Sequence, residues 1–110
     1  MSTEAKVAVI TGATGGIGFA VAKRLGQDGY TVILNGIDDA AGAERIKELS
    51  AQGIKAEYYG FDVTNEEAVT KNIKAIGEKY GKIDTLVNNA GGLGGRSRFE
   101  EMTTEFYRSV

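Results

Sequence analysis

The sequence predicts an α/β fold: a parallel sheet with helices on both faces. Three observations carry that expectation. Short apolar runs alternate with stretches of helical periodicity. The first of those runs is apolar throughout, as in a strand buried on both faces, and does not alternate with polar residues. Glycine, 16 of 110 residues, falls mostly at the joints between the runs and not in low-complexity tracts.

Val7–Ile10 is the first such run, a strand ended by Thr11-Gly12. From Ile17 to Asp28 the pattern becomes helical, with Ile17, Ala20, Val21 and Leu25 on the inward face and Gly29 closing the helix. Tyr30–Leu34 is a second apolar, β-branched strand. Asp39–Gln52 reads as a helix closed by Gly53, with Ile46 and Leu49 inward, and Lys55–Phe61 as the third strand. Thr64-Asn65-Glu66-Glu67 matches a capping box in which Thr64 is the N-cap and Glu67 reaches back. The helix it opens runs to about Tyr80, with Val69, Ile73 and Ile76 inward, and Ile83–Asn88 is the fourth strand. Thr103 has the character of an N-cap for a further helix carrying Phe106 and Val110, and the expectation is that more chain belongs after Val110.

Right-handed crossovers place the first two helices on one face of the sheet. A step back across the sheet then puts the third helix on the other face, giving three αβα layers and the strand order 3-2-1-4. This is the front half of a Rossmann-like dinucleotide-binding sheet, incomplete as it stands. The order reverses between strands one and four, so a ligand is expected at the segments after Ile10 and after Val87, the two glycine-richest turns.

Composition removes several classes of function. A formal net charge of −2 gives no overall basic field for nucleic acid. No apolar run is long enough to span a bilayer, and Met1–Lys6 is not a secretory signal. Without cysteine there are no disulfides or thiolate zinc sites, which fits a cytoplasmic protein. Without histidine there is no Ser-His triad, histidine base or histidine metal ligand.

The segment Thr11-Gly12-Ala13-Thr14-Gly15-Gly16-Ile17-Gly18 joins a strand to a helix. Gly12 allows the tight exit from the strand, Gly16 lets backbone approach a pyrophosphate, and Gly18 lets the helix lie close to the sheet. The phosphates would face free N–H groups at the helix start. A tight turn with no ligand is the plainer reading of the same glycines. No glycine precedes Gly81-Lys82 at the spacing a Walker-type phosphate loop requires.

Thr11-Gly12-x-x-x-Gly16-x-Gly18 resembles the cofactor turn of the short-chain dehydrogenase/reductase family. The likeness continues at Asp62-Val63 after the third strand and at Asn88-Asn89-Ala90-Gly91 after the fourth, so it covers essentially the whole chain. It implies that residues 1–110 are the N-terminal, NAD(P)-binding portion of an oxidoreductase, with the catalytic C-terminal portion absent. The cofactor-binding residues it implies are Gly12, Thr14, Gly15, Gly16, Ile17, Gly18, Asp38, Asp62, Val63, Asn89, Ala90 and Gly91. Asp62 would accept from the adenine amino group with Val63 against the ring; otherwise it is a surface turn carboxylate starting a helix. Asn88 is as readily structural as cofactor-touching, and Thr11 ties turns together. Ala90 and Gly91 are small because the dinucleotide passes close by.

Asp38 lies about 20 residues beyond the glycine turn, the spacing of a ribose-binding acid. A helix N-terminus favouring acids accounts for Asp38 and Asp39 equally well. No lysine or arginine falls in Ala13–Gly15 or Asn35–Asp39, so NAD is expected ahead of NADP. Gly91–Arg98 reads as a solvated loop, with Arg96 or Arg98 available to an anionic substrate in the alternative.

The resemblance further implies hydride transfer between the nicotinamide and a small alcohol or carbonyl compound, with a tyrosine as general acid/base and a lysine four residues on. Tyr30, Tyr58, Tyr59 and Tyr80 lack that lysine, and Tyr107 is too near the end, so no catalytic residue is assigned. Two other readings stand beside the oxidoreductase: a non-catalytic dinucleotide-binding half-domain, and a self-associating assembly element. A homo-oligomer is expected, because strand four is left as an open apolar edge. The stretch Leu34–Ala41 resembles the second-strand region of 3-hydroxybutyrate dehydrogenases, while sugar-alcohol and 3-oxoacyl-thioester reductases remain equally open.

Overall fold

A computed structural model describes residues 6–89. The chain runs β1 (Val7–Ile10), α1 (Gly16–Gln27), β2 (Thr31–Gly36), α2 (Asp39–Ala51), β3 (Ala56–Gly60), α3 (Glu66–Tyr80) and β4 (Thr85–Val87). The sheet is parallel throughout, in the order β3-β2-β1-β4. The predicted segment from Thr103 lies outside the described residues, as do Ala90, Gly91, Arg96 and Arg98.

Alternation along the central strands builds the three layers. Ala8, Ile10, Val32 and Leu34 point to one face, where they meet Ala22 of α1 and Leu49 of α2. Val7, Val9 and Ile33 point to the other and meet Ile76 of α3. Val69 and Ile73 bury the rest of α3 against Phe61 and Val63. β1 and β2 are buried along their whole length, the consequence of helices on both sides. Each valine, leucine, isoleucine and phenylalanine among them contributes about 1.5–3 kcal/mol on burial.

Three local expectations are corrected. β2 continues past Leu34 through Asn35 to Gly36, because the Asn35 amide finds partners within the sheet. On α1 the buried positions are Gly18 and Ala22, with Val21 and Leu25 half-buried. Ile17, at 75% exposure, and Ala20 face outward. The helix lies so close to the sheet that its smallest residues define the contact line and turn the larger ones aside. At α3 the N-cap is Asn65, whose side chain accepts from the Ala68 N–H at 3.0 Å. Thr64 is not the cap, because its amide and hydroxyl both donate to Asp62 Oδ1, at 2.8 and 2.7 Å.

On the far face, α3 is pinned to β3. Lys79 Nζ and the Tyr80 hydroxyl donate to the two oxygens of Glu57, at 2.7 and 2.5 Å. Burial disfavours the Glu57 charge, but these bonds together outweigh it and hold the carboxyl below the usual range.

Under α2, the ring of Tyr58 fills the space between helix and sheet. A Cβ on Gly36, Gly42 or Gly60 would meet it. The Tyr58 hydroxyl is shut off from solvent without a well-formed hydrogen bond, and Asp39 lies beside it. Burial, reinforced by the carboxylates of Asp39 and Asp38, pushes the phenol up to about 12. Glycine inside a helix ordinarily costs about 0.5–1 kcal/mol against alanine. Gly42→Ala should nevertheless destabilise by about 1–3 kcal/mol, because the added methyl overlaps the ring. Urea denaturation should show the sign reverse in a Tyr58→Leu background.

Candidate functional site

All four strands end at one edge, and the segments leaving them are tied together there. Past β1, the Thr11 N–H donates to the Val87 carbonyl at 3.0 Å and the Ala13 N–H to the Asn35 carbonyl at 2.8 Å. The Asn35 side chain joins three strand ends. Its Oδ1 accepts from the Gly12 N–H at 3.4 Å, and its Nδ2 donates to the carbonyls of Phe61 and Tyr59, at 2.8 and 3.3 Å. Only 2% of Asn35 is exposed, so each of these partners replaces a water the amide cannot reach.

Thr11 behaves as the sequence suggested. Its hydroxyl accepts from the Asn89 N–H at 2.9 Å and contacts Asn88 Oδ1 at 3.1 Å, knotting the β1 and β4 exits. Asn89 Nδ2 donates to the Gly12 carbonyl at 3.2 Å. Gly18 sits directly beneath, and a Cβ there would strike that same carbonyl and come within 2.8 Å of Asn89 Nδ2. Glycine at 18 is therefore a requirement of packing, as its place in the motif predicted.

The turn itself opens outward. Gly12 and Gly16 have φ of 59° and 58°, the left-handed region that side chains avoid. A Cβ on Gly15 or Gly16 would meet nothing within 4 Å. Gly15 is the N-cap of α1 and, lacking a side chain, leaves the helix start uncapped. Among the described residues, no acceptor engages the N–H groups of Gly16, Ile17 or Gly18. A helix start in this state carries partial positive charge and suits an anion.

Beside it lies a cleft of about 310 Å³ lined by Gly12, Thr14, Asn35, Gly36, Ile37, Phe61, Asp62, Val63 and Thr64. Gly12, Thr14, Asp62 and Val63 were foreseen there. Ile37, 83% exposed, offers the cleft an apolar side chain. The two Thr64 bonds hold the Asp62 carboxyl below the ordinary range, leaving a charged acceptor at the surface. Asp38 follows Ile37 and caps α2, one oxygen accepting from the Ala41 N–H at 3.1 Å.

Two participants were not found from the sequence as site residues. Asn35 carried a signal, a lone amide ending an apolar strand. Arg45 carried none: its Nε donates to the Thr14 carbonyl at 2.8 Å from 31 positions along the chain. Tyr58 and Tyr80 are both raised, by burial first and by neighbouring carboxylates next.

A family model described as short chain dehydrogenase matches residues 6–110. The chain is 41% identical over 107 residues to a 3beta-hydroxysteroid dehydrogenase of Mediterraneibacter gnavus, covering 97% of this chain and 39% of that protein. Among solved structures it resembles an actinorhodin polyketide ketoreductase with NADPH, at TM-score 0.89 and 28% identity, over 99% of this chain and 51% of that one. It also resembles a metagenomic short-chain oxidoreductase in complex with NADP, at TM-score 0.77 and 36% identity, over 83% and 42% of the two chains. The chain spans between 34% and 43% of the length of the curated relatives it matches.

Asn35→Asp gives a direct test of the strand-end tie. It keeps the acceptor for Gly12 but sets a carboxylate against two carbonyls. It should cost about 3 kcal/mol at neutral pH. The protonated form is favoured in the fold, so the loss should shrink as pH falls through the range where the new acid protonates, read by denaturant midpoints.

Proposed function

The chain belongs to the short-chain dehydrogenase family, and from that premise we propose that it supplies the coenzyme-binding part of an oxidoreductase moving hydride between a nicotinamide dinucleotide and a small alcohol or carbonyl compound. The observation that carries this reading is the uncapped, outward-facing start of α1 beside a cleft with an ionised carboxylate at its lip. The residues present fit such a ligand. Thr14, Gly15, Gly16, Ile17 and Gly18 would cradle the pyrophosphate with backbone N–H groups, while Gly12, whose N–H goes to Asn35, would shape the exit from β1 beside it. Adenine would enter the cleft between Ile37 and Val63, with its amino group donating to Asp62. Asn89, and beyond it Ala90 and Gly91, would border the nicotinamide side. The bound dinucleotide supplies the hydride chemistry; the chain's own residues bind and orient it.

NAD is the favoured coenzyme. Asp38 stands next along the chain from the cleft-lining Gly36 and Ile37, where the ribose 2′-hydroxyl would need an acceptor. A 2′-phosphate would instead meet the carboxylates of Asp38 and Asp39. The two relatives solved with a coenzyme carry NADPH and NADP, both 2′-phosphorylated, so the expectation of NAD for this chain rests on its own Asp38 and Asp39.

Titration with NADH, followed by nicotinamide fluorescence, should show saturable binding, and no binding would end this reading. Asp38→Ser retains an oxygen to cap Ala41 while removing the charge. Its melting temperature should hold, and its preference for NAD over NADP should fall by about tenfold, the weight of one charge-assisted hydrogen bond.

A further inference from the structure

The glycine turn is fastened unevenly. Its first half is held from the sheet: Thr11 by Val87, Gly12 by Asn35 and Asn89, Ala13 by Asn35. Its second half, Thr14-Gly15-Gly16, donates no backbone hydrogen bond to the sheet among the described residues and contains two residues without side chains. Such a stretch loses much conformational freedom when it must adopt one shape.

What holds that half is Arg45. Its Nε–H donates to the Thr14 carbonyl at 2.8 Å. The guanidinium is itself fixed on two further sides, with its carbon 4.5 Å from the Phe19 ring centroid on α1 and its Nη1 3.0 Å from Glu48 Oε2 on α2. A planar cation stacked on an aromatic ring and forked between two acceptors is well ordered before any ligand arrives. Thr14 also rests its methyl against Gly36, so the carbonyl that Arg45 grips belongs to a residue of the cleft wall.

We propose that Arg45 is a positioning residue for the dinucleotide. It clamps the Thr14 carbonyl from α2 and so sets the curvature of Thr14–Gly16 in advance of binding. The inference rests on the reading of this turn as the pyrophosphate cradle. Its energetic role is preorganisation: the turn is ordered in the free protein, and binding does not bear that entropy loss. Arg45 need not touch the ligand for this to hold.

The test uses the full chain and three variants. Arg45→Met keeps the aliphatic stem over Phe19 and removes the donor; Arg45→Lys restores a donor; Glu48→Ala removes only the outer ion pair. Arg45→Met should weaken NADH and ADP, which carry a pyrophosphate, by roughly tenfold, and leave adenosine unchanged. Arg45→Lys should recover most of the loss, and Glu48→Ala, which removes one of the guanidinium's anchors but leaves the donor to Thr14, should lose less than Arg45→Met. Unchanged NADH affinity in Arg45→Met would overturn the clamp. Equal losses for adenosine and ADP would overturn it too, since they would report general damage to the fold. A parent chain that binds none of the three ligands would instead remove the reading on which the clamp rests.

Discussion

A primary amide placed where water cannot reach must satisfy its oxygen and both hydrogens from protein groups alone. At Asn35 those groups are the Gly12 N–H and the carbonyls of Tyr59 and Phe61. They lie on the exit of β1 and the end of β3, with Asn35 itself at the end of β2. Three strand ends are thereby fixed relative to one another by one side chain, and everything the site requires follows from that edge. The glycine turn leaves β1 in one direction, the cleft forms between the β2 and β3 exits, and Asn89 meets the Gly12 carbonyl from β4. Leaving one such group unpartnered costs about 1–3 kcal/mol, so the tie is also a constraint on folding.

The second governing feature is a helix that begins without a cap. Most helices satisfy their first N–H groups with a side chain, and α2 and α3 do so through Asp38 and Asn65. α1 starts at Gly16 behind another glycine, and its stability comes from the close seat of Gly18 and Ala22 on the sheet. The sequence therefore concentrates its packing quality under α1 and leaves the end of that helix electrostatically incomplete. In the proposed reading a pyrophosphate would complete it, and fold and function would share the same four glycines.

Much of this could be read from residues alone. Strands buried on both faces announce themselves as unbroken apolar runs, and Val7–Ile10 and Val32–Leu34 did so. The strand order followed from alternation and crossover handedness, and the turn from glycines at fixed offsets. What escaped depended on geometry that a linear pattern does not carry. Helical periodicity ranked the large apolar Ile17 above Gly18 for the inward face, although close approach selects the smallest residue. The capping box at Thr64 was displaced by one position, because Asp62 draws off both of its donors. The segments adjacent to the turn hold no basic residue, while Arg45 reaches it from α2. Long flexible side chains act where their tips fall, and spacing along the chain says little about that.

The ring of Tyr58 with Gly36, Gly42 and Gly60 has a bearing on how this sequence can change over time. Those four positions come from β2, α2 and β3, yet they share one volume. A methyl gained at Gly42 is tolerable only if the ring shrinks, and a smaller side chain at 58 leaves a void unless that glycine grows. Single steps from the present state are therefore disfavoured where paired steps are not. Lineages carrying an aliphatic residue at 58 would be free to place alanine at 42, and with it a stiffer α2 behind the cleft.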